Sequence, residues 1–101
     1  MAQLWFRLYS EFATDPVIQA LSFDDQRHFV MVMCMKCSGL LDRNIDNSQR
    51  LRLIHRTLGL DSLSADEVKR RLMEMQLIDT DWQPINWDKR QFKSDLSTPG
   101  S

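Results

Sequence analysis

Apolar and polar positions alternate along this chain with a helical rather than a strand period over most of its length. From Phe29 to Met35 every residue is apolar. A helix that is apolar all round is packed on several sides, so this stretch predicts a central core helix. Its ends are marked. Ser22 can cap the start, Asp24 and Asp25 suit the positive end of the helix dipole, and Gly39 follows Ser38 as a stop. Just before it, Asp15-Pro16 predicts a short helix to about Leu21, because Asp caps and Pro loses nothing in a first turn. Residues 3–13 are aromatic-rich and read equally as strand or helix, with Trp5 and Phe6 as expected core anchors.

The second half follows a different rhythm. Ser48 to Leu58 puts Leu51, Ile54 and Leu58 on one helix face and Arg52 and Arg56 on another; Leu53 falls on the polar side, and Gly59 ends the run. Ser64 to Met75 carries a stripe of Ala65, Val68, Leu72 and Met75, and Ser64 with Glu67 forms a capping box. Five residues, Gly59 to Leu63, link the two helices. Leu77-Ile78 and Trp82 to Trp87 flank Asp79-Thr80-Asp81, which reads as a hairpin turn with Pro84 on an edge. Leu41 and Ile45 suit a very short strand before Asn44, Asp46 and Asn47 turn the chain into the helix that Ser48 caps. Helix, turn, helix and hairpin in this order predict a mostly helical α+β fold. It is a winged helix-turn-helix with an additional N-terminal segment and a short β-hairpin wing. One domain is expected over residues 1–92, with residues 93–101 a flexible tail or a linker cut short.

Composition narrows the classes. Apolar residues are 43% of the 101, charged residues 27%, and Gly and Pro number three each, an ordinary globular mix that favours helices. No apolar run approaches the ~20 residues of a membrane span, and no signal peptide opens the chain, so a cytoplasmic protein without membrane contact is expected. The net charge of −1 means that a nucleic-acid surface would have to arise from uneven charge. The distribution is uneven. Acids crowd into Glu11–Asp25 and Asp79–Asp88, while Arg50, Arg52, Arg56, Lys69, Arg70 and Arg71 fall in the two helices of the second half.

Candidate chemistry is sparse. Cys34-x-x-Cys37 has no second cysteine pair to complete a zinc site, and it sits at the C-terminal end of an apolar helix rather than at a thiolate-stabilising N-terminus. Buried, reduced core cysteines are the expectation. Asp24-Asp25 and the acids of Asp79–Asp88 read as a solvated cap and turn rather than a divalent-ion site, and the six Met residues as core filling rather than an adaptable groove. No phosphate loop, nucleophile elbow or metal-binding His pair occurs. No enzyme activity and no cofactor are expected.

Two end motifs add a resemblance. Trp5-Phe6-Arg7-Leu8-Tyr9-Ser10-Glu11-Phe12-Ala13-x-Asp15-Pro16 is similar to the opening of the N-terminal domains of phage and prophage replication proteins of the replisome-organiser or initiator type. So are Gln26-Arg27, Cys34-Met35-Lys36-Cys37, Leu77-Ile78-Asp79-x-Asp81-Trp82 and Asn86-Trp87-Asp88-Lys89-Arg90-Gln91-Phe92. The resemblance implies a winged-helix domain that binds double-stranded origin DNA. A linker and a C-terminal region engaging the replicative helicase or its loader would follow it. Such proteins usually continue past this point into an Arg-rich stretch, whereas this chain ends at Thr98-Pro99-Gly100-Ser101.

The function expected is therefore duplex DNA binding in phage-type replication initiation. The helix holding Lys69, Arg70 and Met73 would lie in the major groove, with Arg50, Arg52 and Arg56 near the backbone and Lys89 and Arg90 beside the wing. Two alternatives stay open: a non-catalytic interaction module meeting a partner or a second copy through Leu53 and Met73, and a small transcriptional regulator. The sequence leaves homo-oligomerisation open.

Overall fold

A computed structural model describes residues 5–89 and 91. Four α-helices carry the fold: α1 (Pro16–Gln19), α2 (Phe23–Ser38), α3 (Asn47–Leu58) and α4 (Ser62–Glu74). Single 3-10 turns occupy Ser10–Ala13 and Leu40–Asp42, and residues 87–89 and 91 are helical.

The boundaries follow from local chemistry. Asp15 accepts from the Val17 amide at 2.8 Å to start α1, and Ser22 Oγ accepts from the Asp25 amide at 3.1 Å to start α2. Gly39, at φ 87°, ends α2. Gly59, at φ 74°, ends α3, where the Leu60 amide reaches back to the His55 carbonyl at 3.0 Å and the Gly59 amide to Arg56 at 3.1 Å. That 6→1 and 5→2 pair is a Schellman close. α4 ends the same way without a glycine: Leu77 donates to the Leu72 carbonyl at 3.0 Å and Gln76 to Met73 at 2.9 Å, with Gln76 at φ 60°.

α2 packs against both α3 and α4, and these pack on each other. Phe29, Val32, Met33 and Met35 of α2 meet Ile54 and Leu58 of α3 and Ala65, Val68 and Leu72 of α4 in one cluster. Leu77, Ile78 and Trp82 close it from the far end of the chain. The central-helix expectation is borne out for α2, except that Cys34 is exposed while Cys37 is buried. Phe6 packs at the edge, its ring 5.7 Å from Trp87, and Phe12 stacks on Phe29 at 6.5 Å. Trp5 is not an anchor: it is 68% exposed.

The winged α+β expectation is overturned. The described residues contain no β-strand, and so no β-hairpin wing. Leu77 to Ile85 does reverse direction, but it forms one antiparallel bridge, Ile78 to Pro84. The hydrogen bonds flank that pair: Asp79 N–H to the Gln83 carbonyl and Ile85 N–H to the Leu77 carbonyl, each at 3.0 Å. Pro84 thus stands where no donor is required. The ladder does not extend because Trp82 and Asn86, both at φ 64°, bend the backbone out of the extended region on either side. The strand expected at Leu41–Ile45 is likewise a 3-10 turn over Leu40–Asp42. The linker between α3 and α4 is three residues, 59–61, not five, because α4 starts two residues earlier than the Ser64–Glu67 box suggested. Asp61 is the cap, accepting from the Ser64 amide at 2.7 Å.

Candidate nucleic-acid interface

α3 and α4, joined by a three-residue turn, hold the basic residues that the sequence singled out. Their individual settings differ sharply. Arg50 is turned inward. Its guanidinium donates to the Arg43 carbonyl at 3.0 Å, the Ile45 carbonyl at 3.2 Å and Asn47 Oδ1 at 3.4 Å. Its Nε is buried without a partner among the described residues. These bonds tie the 43–45 loop to the first turn of α3, so Arg50 braces the loop.

Arg52 and Arg56 are exposed, and neither side chain makes an ion pair or hydrogen bond with the described residues. At 100° per residue, Gln49, Arg52 and Arg56 share an arc of roughly 60° opposite Ile54. α3 contains no Asp or Glu at all. Its C-terminal carbonyls receive Arg27, which donates to the Leu58 carbonyl at 3.3 Å, the placement favoured by the negative end of the helix dipole.

On α4, Arg70 donates to Glu67 at 2.9 Å and to Glu74 at 2.8 Å. Those carboxylates hold the Arg70 guanidinium above its ordinary value, and Arg70 in turn lowers Glu67. Arg71 reaches across to α2. Its Nε lies 2.6 Å from Asp25 Oδ2 and its terminal nitrogen 3.2 Å from Oδ1, a two-point grip on a carboxylate that is 3% exposed. His28 Nδ1 is 3.1 Å from the same carboxylate. The Arg71 hydrogen bond outweighs burial, so the Asp25 carboxyl lies below the usual range. Asp25, expected as a solvated cap, is instead the buried anchor of α4.

Lys69 is half-buried beside a polar cleft of about 340 Å³ between the start of α3, α4 and the 80–83 turn. Arg50 and Lys69 line it together with Asp42 and Asp81. Met73, expected at a base edge, is partly buried and packs against the core. Leu53 is half-buried. Lys89 is exposed, on the helical turn that follows the Pro84 bridge; Arg90 lies outside the described residues, as do Phe92 and the 93–101 segment.

Other candidates resolve individually. Cys34 and Cys37 form no disulfide among the described residues, and desolvation, with Cys37 one turn away, pushes the Cys34 thiol up, opposite to what a reactive thiolate needs. Asp79 Oδ1 accepts from the Asp81 amide at 2.8 Å and the Gln83 amide at 3.0 Å, which shapes the turn. Among the described residues no three His, Cys, Asp or Glu gather as a metal site, and no helix is long and apolar enough to cross a membrane.

Sequence reasoning missed the Asp25–Arg71–His28 cluster, since its partners lie 46 residues apart. The capture of Arg70 had a signal: Glu67, Arg70 and Glu74 stand at i, i+3 and i+7, the spacing at which helical side chains meet. Comparison with known proteins finds no matching family model, no matching curated protein and no matching solved structure.

Proposed function

We propose that this chain is a duplex-DNA-binding domain of a phage-type replication initiation protein, applied to DNA through the α3–α4 helix pair. The observation that carries the binding is charge segregation: a helix with three arginines and no carboxylate, two of the three exposed and unpaired among the described residues. Affinity for duplex DNA comes first from cations that displace condensed counterions, and a local cluster suffices even when the whole chain is near neutral. The replication role rests on the resemblance of the Trp5–Pro16 and Asn86–Phe92 motifs. The partners that follow are double-stranded DNA and, through a region not contained in this chain, a replicative helicase or its loader.

The test is fluorescence anisotropy with duplex DNA from around the parent gene at two salt concentrations. Each neutralised phosphate contributes about 0.9 to the logarithmic salt slope, so two to three contacts weaken binding about tenfold or more between 50 and 200 mM. Absent or salt-independent binding would remove the proposal.

A second reading, a protein-interaction module, is favoured by a separate observation. Phe23 is 88% exposed, Leu63 79% and Trp5 68%, large apolar side chains of the kind that anchor partners. Sedimentation showing self-association, together with no DNA binding at low salt, would select it.

A further inference from the structure

We infer that α3, not α4, is the element that enters the DNA groove, with Gln49, Arg52 and Arg56 making the base and phosphate contacts. This rests on the duplex-binding proposal and specifies the surface involved. It departs from the expectation, drawn from helix order alone, that the second helix of the pair reads the groove.

The argument starts with what α4 would bring to DNA. Its exposed positions include Leu63, Asp66, Glu67, Arg70 and Glu74. Arg70 is already neutralised by two carboxylates at 2.8–2.9 Å, and Arg71 is spent on Asp25. Seating this face in a groove would press Asp66, Glu67 and Glu74 toward phosphates. It would also break the Arg70 pairs before Arg70 could contact a base. Like charges at an interface lower both encounter rate and affinity.

The outward face of α3 carries no such conflict. Gln49, Arg52 and Arg56 are exposed, and nothing acidic shares their helix. Seven residues separate Gln49 from Arg56, about 10 Å along the axis at 1.5 Å per residue. At 3.4 Å per base step this spans roughly three base pairs. The residue types suit base edges: Arg pairs with guanine O6 and N7, Gln with adenine N6 and N7. One supporting cation flanks the same helix. Arg43, exposed and without a side-chain partner among the described residues, lies in the loop that Arg50 braces against the start of α3.

The experiment selects duplexes from a random-sequence pool with the full chain, then measures anisotropy on the enriched duplex and on a scrambled one. Arg52→Ala and Arg56→Ala should each weaken binding to the enriched duplex about tenfold or more. Arg52→Lys and Arg56→Lys keep the charge but lose the two-pronged contact, so they should retain the salt slope and lose the preference over the scrambled duplex. Gln49→Ala should flatten the preference at a single position. Arg70→Ala and the double change Glu67→Gln/Glu74→Gln should leave affinity within about twofold, because exposed pairs away from the interface count for little. All these positions are on the surface, and circular dichroism confirms that each variant is folded. Loss of binding in Arg70→Ala, or tighter binding in Glu67→Gln/Glu74→Gln with the α3 variants unaffected, would place α4 against DNA. That result overturns the assignment while leaving duplex binding intact. A wild-type chain that binds no duplex at low salt removes duplex binding itself, and the assignment with it.

Discussion

α3 and α4 are close to a matched pair. They are 12 and 13 residues long, both pack on α2, and each carries three Lys or Arg side chains. What separates them is the company those side chains keep. α4 interleaves its cations with Asp66, Glu67 and Glu74 and sends Arg71 to the buried Asp25, so the charge of Arg70 and Arg71 is consumed in holding the helix and its place in the fold, while Lys69 is half-buried. α3 has no acids, uses Arg50 internally and leaves Arg52 and Arg56 to solvent. Counting basic residues treats the two as equal; tracing their partners separates an anchored helix from one whose charge is available. Field strength at a surface depends on unneutralised charge, and among the described residues α3 presents two exposed, unpaired arginines where α4 presents none.

The largest perturbation removes a buried side chain from the cluster that both helices share. Trp82 is 2% exposed, and its loop borders α3 residues Asn47 and Leu51 and α4 residue Lys69. Trp82→Ala should cost about 3–5 kcal/mol, read as the urea midpoint, and should loosen both helices equally. If it loosened only one, Trp82 would support that helix alone.

The anchor of α4 comes next. Asp25→Asn should destabilise by about 1–3 kcal/mol, less than a fully buried pair, because the Arg71 side chain is 43% exposed and regains water. The Asp25 carboxyl is lowered in the fold by Arg71 and His28. A depressed folded value means stabilisation that is complete above the ordinary carboxylate range near pH 4, and lost as pH falls through the lower folded value. The midpoint gap between wild type and Asp25→Asn should therefore shrink on acidification below about pH 4. Hydrogen exchange should show the loss concentrated in α4.

Helix ends sharpen the contrast on a smaller scale. Gly59→Ala places a side chain at φ 74° with nothing within 4 Å of the new carbon. The cost is therefore purely conformational, about 1–2 kcal/mol. Gln76 closes α4 at φ 60° without a glycine, so Gln76→Gly should raise stability by about 0.5–1 kcal/mol, because the left-handed penalty exceeds the added chain entropy. Opposite signs at two equivalent positions are the expected denaturation result. Smallest of all, Arg70→Ala should leave the unfolding midpoint unmoved at physiological salt, since its two pairs stand in open solvent.

Much of this was legible in the chain. Ser22 and Gly39 delimit α2, and Gly59 ends α3, because a cap hydroxyl and a left-handed glycine act locally. The start of α4 was misread because two caps compete there. Ser64 with Glu67 matches the box, but Asp61 takes the Ser64 amide first and draws Ser62 and Leu63 into the helix. The wing failed for a subtler reason. Alternation of Leu77-Ile78 with later apolar residues does suggest pairing, yet a buried Trp82 and an Asn86 in left-handed geometry cut the ladder to one bridge, and no pattern of residue types announces a tryptophan there. In the candidate site, helix membership of the basic residues was readable. Their availability was not fully so, because the pairing of Arg71 with Asp25 is a product of tertiary packing.

Pro84 carries a last consequence. In a pair flanked rather than joined by ladder bonds, the backbone groups of Ile78 and Pro84 point away from each other. Pro84 is buried, so a donor pointing away from its bridge partner would be held inside the fold, outside the ladder. Proline spares the chain that polar group. Replacing Pro84 would bury an N–H with no ladder acceptor, at a cost of about 1–3 kcal/mol.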